Sequence, residues 1–255
     1  MLQQTQASRV VPAYRSFLER FPTLLALAEA PRRDVIAAWV GLGYNRRAVA
    51  LAAAARPVVR DHGGRVPSDP ALLQRLSGVG PYTAAAVASL AFGLPVAAVD
   101  TNVRRIVGRA FLGVDPEDVP VVEIRRLAQA GLDVRDPGAW NQALMDLGRE
   151  ICRPHPRCDA CPLRNGCRFS AQGRPHRPAR REQPAFEGSF RQVRGAIVRI
   201  LRERPQASLS ALAEASGLPV RRVAEAVTAL VSDGLVEAGP AALRGDPRGR
   251  ARLAS

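Results

Sequence analysis

Lysine is missing from this sequence, and all 37 of its basic residues are arginine. An arginine side chain stays protonated in proteins, whereas a lysine amine can lose its proton and act as a nucleophile. Covalent catalysis through a side-chain amine is therefore excluded for the 255 residues of this sequence. Only the terminal amine could act in that way.

Long apolar runs are missing as well. No run reaches the ~18 residues that a membrane-spanning helix needs. The N-terminal stretch Met1-Leu2-Gln3-Gln4-Thr5-Gln6 has the pattern of neither a signal peptide nor a transit peptide. We therefore expect a cytoplasmic protein.

Cysteine is scarce, and its four copies lie within sixteen residues. They are Cys152, Cys158, Cys161 and Cys167, with the spacing C-x5-C-x2-C-x5-C. In a reducing compartment such clustering indicates metal ligation rather than disulfides. Four thiolates at short spacing suit either an iron–sulfur cluster or tetrahedral zinc, although zinc ribbons usually contain two C-x2-C pairs.

Positive charge is abundant, since the formal net charge is +14 at pH 7. A chain this basic usually binds a polyanion, and nucleic acid is the first candidate. The alternative is a generally basic surface encoded by an arginine-rich genome. The length allows one large domain or two modest ones, each with its own core.

Apolar residues recur at helical spacing through residues 1 to about 150, and no segment there alternates as a strand does. We predict an all-α fold with a helical domain over 1–97 and a second domain, containing the cysteines, over 98–170. Residues 171–188 are rich in Pro and Arg and are predicted to be a linker. Residues 189–255 show three helical faces and a short hairpin, the pattern of a winged helix. We expect its last dozen residues to be disordered, and both tryptophans, Trp39 and Trp140, to lie in the core.

The stretch Leu76-Ser77-Gly78-Val79-Gly80-Pro81 predicts a tight turn before a helix. Gly78 and Gly80 permit a positive φ on either side of Val79. The turn would present free backbone N–H groups at a helix N-terminus, where a DNA phosphate can bind without sequence being read. A purely structural turn between helices is the alternative.

A second motif, Val99-Asp100-Thr101-Asn102-Val103-Arg104-Arg105, follows about twenty residues later. Together the two motifs resemble the helix-hairpin-helix superfamily of DNA glycosylases. The resemblance implies that Asp100 is catalytic, in the pocket that receives an extruded base, with Tyr82 and Asn102 beside it. A carboxylate there can stabilise the oxocarbenium-like sugar formed as the base leaves. Asp100 could equally be a helix N-cap.

Within that superfamily, residues 1 to about 170 resemble the A/G-mismatch adenine glycosylases. The resemblance places Gln3, Gln4 and Thr5 at the lesion in DNA. It also implies that Leu42 and Tyr44, in Gly41-Leu42-Gly43-Tyr44, wedge into the base stack, whereas ordinary core packing is the alternative for both. The implied partner is double-stranded DNA with adenine opposite guanine or 8-oxoguanine, bound by a monomer.

The same resemblance implies a 4Fe–4S cluster on the four cysteines, although the first gap is five residues here and usually six in the family. Position 82 separates two activities. Endonuclease III relatives have a lysine there that forms a Schiff base and cuts the strand, whereas Tyr82 predicts a glycosylase without lyase activity.

Two departures from the family pattern stand out. The glutamate that protonates adenine would precede Met1 by two residues, so we expect a start codon upstream; the chain as printed would bind DNA with little turnover. Residues 189–255 do not resemble the hydrolase-like domain that reads 8-oxoguanine. Two other functions stay open: a thymine or uracil mismatch glycosylase, and a non-enzymatic iron–sulfur DNA-binding protein.

Overall fold

The computed structural model describes residues 1–3, 5–39, 41–173 and 185–255. These residues form two compact units, one containing Met1–Arg65 and Gln183–Ser255 and the other Val66–Glu182, as far as those ranges are described. Most of the linker predicted over 171–188 lies outside the described residues. None of the described helices is long and apolar enough to cross a membrane.

The first unit begins with four helices. They are α1 (Ala7–Arg20), α2 (Leu24–Glu29), α3 (Arg32–Ala38) and α4 (Arg46–His62). Their shared core is apolar and includes Phe17, Val35, Trp39 and Ala48. Trp39 therefore lies in the core, as predicted.

The second unit is also helical. Its helices are α5 (Pro70–Gln74), α6 (Pro81–Phe92), α7 (Thr101–Val107), α8 (Val121–Ala130), α9 (Pro137–Glu150) and α10 (Arg168–Ala171). A π-helical turn, Gly108–Leu112, extends α7, and short 3-10 turns lie at Pro116–Asp118, Cys158–Ala160 and Arg164–Gly166. The core between α7 and α8 contains Val103, Val107, Ile124 and Ala128. Trp140 is more than one-third exposed on α9, so its assignment to the core was wrong.

The C-terminal part of the first unit has the predicted winged-helix pattern. Its elements are α11 (Phe190–Glu203), β1 (Ala207–Ser208), α12 (Leu209–Ser216), α13 (Val220–Ser232), β2 (Val236–Ala238), α14 (Pro240–Leu243) and β3 (Arg250–Leu253). The strands form an antiparallel sheet in the order β1-β3-β2, with Ala251 paired to both Ala207 and Ala238.

The prediction that the last dozen residues are disordered was wrong. They contain β3, the central strand of the sheet, and Ala251, Leu253 and Ala254 are buried. Their polar composition concealed an alternation with period two, because Ala251 and Leu253 point inward while Arg250 and Arg252 point outward. Glu237 of β2 accepts hydrogen bonds from Arg252 and from the backbone N–H of Ser255, which hold the chain end in place.

Several helices begin where a short polar side chain caps free backbone N–H groups. Asp69 caps α5, Asp100 caps α7 and Asp136 caps α9. Ser189 and Ser208 cap α11 and α12 in the same way. In the second unit these caps fix the hairpin, the candidate catalytic carboxylate and the helix that leads to the cysteines.

Candidate active site and cysteine cavity

The hairpin of the second unit joins α5 to α6 through residues 75–80. Gly78 has φ +75°, a conformation that favours glycine, and its position is exposed. Gly80 was expected to share the positive φ, but its backbone is extended at −87°, because it is the N-cap residue of α6. Pro81 lies in the first turn of this twelve-residue helix, and a Cβ atom added at Gly80 would meet no atom within 4 Å.

Asp100 lies directly before α7, and its carboxylate is held at both oxygens. The backbone N–H of Val103 donates a 2.7 Å hydrogen bond to Oδ1, which makes Asp100 the N-cap. The Asn102 amide donates a 3.1 Å hydrogen bond to Oδ2. The capping and catalytic interpretations are therefore compatible, since the cap fixes the orientation of a carboxylate that is only partly buried.

Tyr82 is in the electrostatic environment of Asp100. Partial burial of the phenol raises its pKa, and the negative charge of Asp100 raises it further. The hydroxyl donates a 3.1 Å hydrogen bond to the sulfur of Met145 on α9. The structure thus brings together the three residues predicted to be catalytic, because Asn102 and Tyr82 both interact with Asp100.

The segment that leads to Asp100 is held by Asn141, a fully buried residue of α9. Its side-chain oxygen accepts a 2.8 Å hydrogen bond from the backbone N–H of Ala98. Its amide nitrogen donates to the carbonyl of Val96 and to the hydroxyl of Ser89. Both the oxygen and the nitrogen of this buried amide are hydrogen-bonded, and these bonds hold the segment before Asp100 in one position.

Arg105 connects the Asp100 site to the first cysteine. One terminal nitrogen of its guanidinium donates 2.8 Å hydrogen bonds to the side-chain oxygen of Asn102 and to the carbonyl of Gly148. Its Nε donates a 2.6 Å hydrogen bond to the carbonyl of Cys152. Asp100, Asn102, Arg105 and Cys152 therefore form one continuous chain of hydrogen bonds.

The four cysteines line one pocket that is partly open to solvent. Arg109, Arg157, Arg164 and Phe169 are among its other lining residues. Burial raises the pKa of the Cys152 thiol, and burial together with the neighbouring thiols of Cys167 and Cys161 raises that of Cys158. Among the described residues, no three Cys, His, Asp or Glu side chains are grouped as ligands of a single ion.

Arg109 of the π-helical turn is buried against the loop that contains the cysteines, with 2 % of its surface exposed. Its guanidinium pairs with Asp115 at 2.8 Å and donates a 2.7 Å hydrogen bond to the carbonyl of Arg153. It also lies 4.8 Å from the ring centre of Phe169 and 3.9 Å from the sulfur of Cys152. One cation thus satisfies several groups of the loop that carries the thiols.

The Gly41–Tyr44 loop of the first unit contains three positive φ values, at Gly41, Gly43 and Tyr44. Tyr44 is half-exposed and is the one described non-glycine residue with a positive φ, here 46°. Such strain in a bulky residue persists only where the surroundings impose it. Leu42 is 3 % exposed and packs in the core, which favours the alternative of core packing for Leu42, whereas the Tyr44 side chain is exposed.

Arg47, at the start of α4, holds this loop against the N-terminal segment. Its guanidinium donates to the carbonyl of Leu42 at 2.9 Å and to the hydroxyl of Thr5 at 2.8 Å. It also donates to the carbonyls of Met1 and Gln3 and lies over the ring of Trp39. Thr5 in turn donates a 3.0 Å hydrogen bond to the carbonyl of Leu42.

The predicted lesion residues Gln3 and Thr5 therefore lie beside the loop that carries Tyr44. Gln4, predicted with them, lies outside the described residues. Sequence reasoning did not single out Arg47 or Arg109, and it quoted Arg105 only as part of a motif. Among 37 arginines, the sequence does not show which ones are buried. The position of Arg47, three residues after Tyr44, could still have indicated a contact with the Gly41–Tyr44 loop.

Comparison with known proteins gives two family matches. Residues 1–127 match the HhH-GPD superfamily of base excision DNA repair proteins. Residues 191–237 match a winged helix-turn-helix DNA-binding family, in agreement with the predicted winged helix.

The similar proteins include adenine DNA glycosylases. That of Mycolicibacterium smegmatis is 38 % identical over 240 residues, which are 93 % of this chain and 81 % of the relative. That of Mycobacterium tuberculosis strain H37Rv is 43 % identical over 207 residues, covering 79 % of this chain and 67 % of the relative. The human protein is 43 % identical over 172 residues, but this match covers only 32 % of its length.

Two solved structures have a similar fold. A thermostable thymine-DNA glycosylase is 31 % identical, with a TM-score of 0.62 over 67 % of this chain and 80 % of its own. A non-covalent endonuclease III–DNA complex is 26 % identical, with a TM-score of 0.59 over 68 % of this chain and 80 % of its own.

Proposed function

Because this chain belongs to the adenine DNA glycosylases of the HhH-GPD superfamily, we propose that it removes adenine paired with guanine or 8-oxoguanine and leaves the DNA strand intact. The chain is a base excision repair enzyme that acts on N-glycosyl bonds in DNA. The observation that carries the proposed site is the partly buried carboxylate of Asp100, fixed by Val103 and Asn102.

The proposed reaction begins with an adenine nucleotide turned out of the duplex, since the N-glycosyl bond is not accessible within the stack. As that bond breaks, positive charge develops on the sugar. The Asp100 carboxylate stabilises this charge, and its two fixed hydrogen bonds mean that it need not reorient as the charge appears. A separate acid must protonate the departing adenine.

Strand cleavage is not expected, because it requires an amine that forms a Schiff base with the sugar. The sequence contains no lysine, and the position after the hairpin is occupied by Tyr82. Its phenol has a raised pKa and stays protonated at neutral pH. Water is therefore proposed to add to the anomeric carbon of the sugar, which gives an abasic site.

We propose that the four cysteines hold a 4Fe–4S cluster, because all four line one pocket. The buried Arg109 also lines this pocket and can balance the negative charge of thiolates there. A bound cluster would supply a rigid cross-link of the loop from Cys152 to Cys167. Arg105 and Arg109 contact that loop from α7 and the π-helical turn, so the loop and the Asp100 site are ordered together.

The test of the proposed function is a panel of duplexes with A:8-oxoguanine, A:G, T:G and U:G pairs. The protein is expressed from its complete reading frame. It is incubated with each duplex at a molar excess of protein over DNA. We expect adenine release and strand breaks only after alkali. Release of thymine rather than adenine would assign the chain to the specificity named for the similar thymine-DNA glycosylase, and release of uracil rather than adenine would equally refute the proposal. Breaks without alkali would refute the proposed lack of lyase activity.

The proposed cluster has its own test, elemental analysis of the purified protein. We expect about four iron atoms per chain and a broad visible absorbance. Cys158→Ser should lower the iron content, whereas Ser170→Ala, which also changes a residue lining the cavity, should not. One zinc atom in a colourless, folded protein would overturn the proposal.

A further inference from the structure

The winged-helix region and the N-terminal helices share a hydrophobic core. Ile36 of α3 is 1 % exposed, and it belongs to the core cluster of α11, α12 and α13 rather than to that of its neighbour Val35. Val49 of α4 also packs against the C-terminal cluster. Buried contacts of this kind carry most of the stability of an interface, so the winged helix is attached to α3 and α4.

Polar contacts reinforce this attachment at the end of α13. The Asp233 carboxylate pairs with Arg194 of α11 and, at 3.4 Å, with Arg46 of α4. Arg32 of α3 reaches the carbonyl of Gly234 at 3.5 Å. The Asp233 side chain is 14 % exposed, and a largely buried carboxylate needs its charged partners more than a surface one does.

These attachments flank the Gly41–Tyr44 loop. Ile36 lies before the loop on α3, and Arg46 follows Tyr44 by two residues at the start of α4. The next residue, Arg47, holds the Leu42 and Gly43 carbonyls from inside the loop. The loop that contains the positive φ of Tyr44 therefore lies between two helices that both contact the winged helix.

We propose that the winged helix is a brace for the Gly41–Tyr44 loop and that Asp233 is a positioning residue for Tyr44. This inference rests on the proposed function, because it assumes that Tyr44 enters the base stack of mismatched DNA. Asp233 acts through Arg46 and the start of α4 and does not contact the DNA itself. The C-terminal region thus contributes to base extrusion without reading the base.

The test is a double-mutant cycle with Asp233→Asn and Arg46→Gln. Its control is Glu237→Gln with Arg252→Gln, an ion pair between β2 and β3 of the same winged helix that is not attached to the loop. Three readouts are compared: hydrogen exchange of the amides of residues 41–47, fluorescence of a 2-aminopurine placed beside an A:8-oxoguanine pair, and single-turnover adenine release.

We expect Asp233→Asn to speed exchange of the loop amides and to lower both the fluorescence change and adenine release by about threefold or more. Arg46→Gln should have a similar effect, and the double variant should be no worse than either single one. The control pair should leave all three readouts within about twofold of wild type. Asp233→Glu, which keeps the charge, should restore part of the loss.

The possible outcomes distinguish failure of the proposed brace from failure of the proposed function. If the wild-type protein gives neither a fluorescence change nor adenine release with mismatched DNA, the proposed function fails. If wild type unstacks the DNA and Asp233→Asn matches it in loop exchange and fluorescence, the brace is refuted. The brace is also refuted if the control pair produces the same losses, since the effect would then reflect general stability of the winged helix.

Discussion

A Cβ atom added at Gly148 would lie 2.5 Å from the Cβ of Asn102. Helix α9 therefore packs against α7 at a distance that only glycine permits at this position. The close approach also lets the Gly148 carbonyl accept a hydrogen bond from Arg105, which holds Asn102. The backbone of α9 thus determines where the partner of Asp100 lies.

Gly148→Ala should displace Asn102 and with it the hydrogen bond to Asp100. We expect slower adenine release and a free energy of unfolding lower by about 1–3 kcal/mol, the usual result of overpacking. Gly195→Ala on α11 is the control, because its added Cβ meets no atom within 4 Å and alanine favours the helix. Single-turnover release and denaturant unfolding measure both effects; equal behaviour of the two variants would contradict the packing argument.

Arg47→Lys should loosen the loop that carries Tyr44, because an ammonium cannot reproduce the planar fork that reaches Thr5 and Leu42 together. We expect weaker binding to mismatched duplex and an unfolding free energy lower by about 2–3 kcal/mol. Arg56→Lys, on the same helix with a single bond to the Ala28 carbonyl, should change neither. Duplex affinity at fixed salt is the measurement. An unchanged affinity in Arg47→Lys would contradict the proposed role of Arg47 in holding the loop.

Arg109→Lys should destabilise the cysteine loop. Lysine leaves Asp115 and the Arg153 carbonyl imperfectly satisfied in a buried place, which costs about 3–5 kcal/mol when a buried pair is broken. We expect purified protein with less iron and a lower melting temperature. Arg164→Lys changes an exposed pair with Asp159 in the same loop and should retain normal iron. Full iron content in Arg109→Lys would show that the loop does not depend on this cation.

A chain that ends at Gly249 should lose the stability of the winged helix. The missing residues include β3, which lies between β1 and β2 and buries Ala251 and Leu253. We expect a lower melting temperature and faster proteolysis of residues 189–249. Glu237→Gln, which weakens the hold on Ser255 without removing the strand, should have a smaller effect. A truncated chain as stable as the whole would contradict the observed sheet.

The sequence predicted the parts of the molecule that local chemistry determines. Gly78 in its turn, Asp100 before a helical pattern and the spacing of the four cysteines all follow from nearest neighbours in the chain. The superfamily, the adenine glycosylase activity and the winged helix were confirmed by comparison with known proteins. The individual site residues stay predictions, supported by the hydrogen bond between Asn102 and Asp100 and by the electrostatic influence of Asp100 on Tyr82.

Long-range packing was not predictable in the same way. The strand β3 was missed because its partners are far away in the sequence and it is only four residues long. Trp140 was misplaced because its helix buries Asn141 instead, an amide whose hydrogen-bond partners outside α9 come from two other segments, α6 and residues 96–98. The attachment of Ile36 to the winged helix joins residues about 160 to 200 positions apart, and no local pattern signals it.

The Asp100 carboxylate is proposed to drive adenine release, and the most direct test of this role is single-turnover release by Asp100→Asn. Asparagine caps a helix about as well as aspartate, so α7 should persist while the charge is lost. Asp136→Asn, a capping aspartate of α9 in the same unit, is the matched control. We predict that Asp100→Asn releases adenine about 100-fold more slowly than wild type, with duplex binding retained. Asp136→Asn should release adenine at nearly the wild-type rate. Release by Asp100→Asn within a few-fold of wild type would contradict the account.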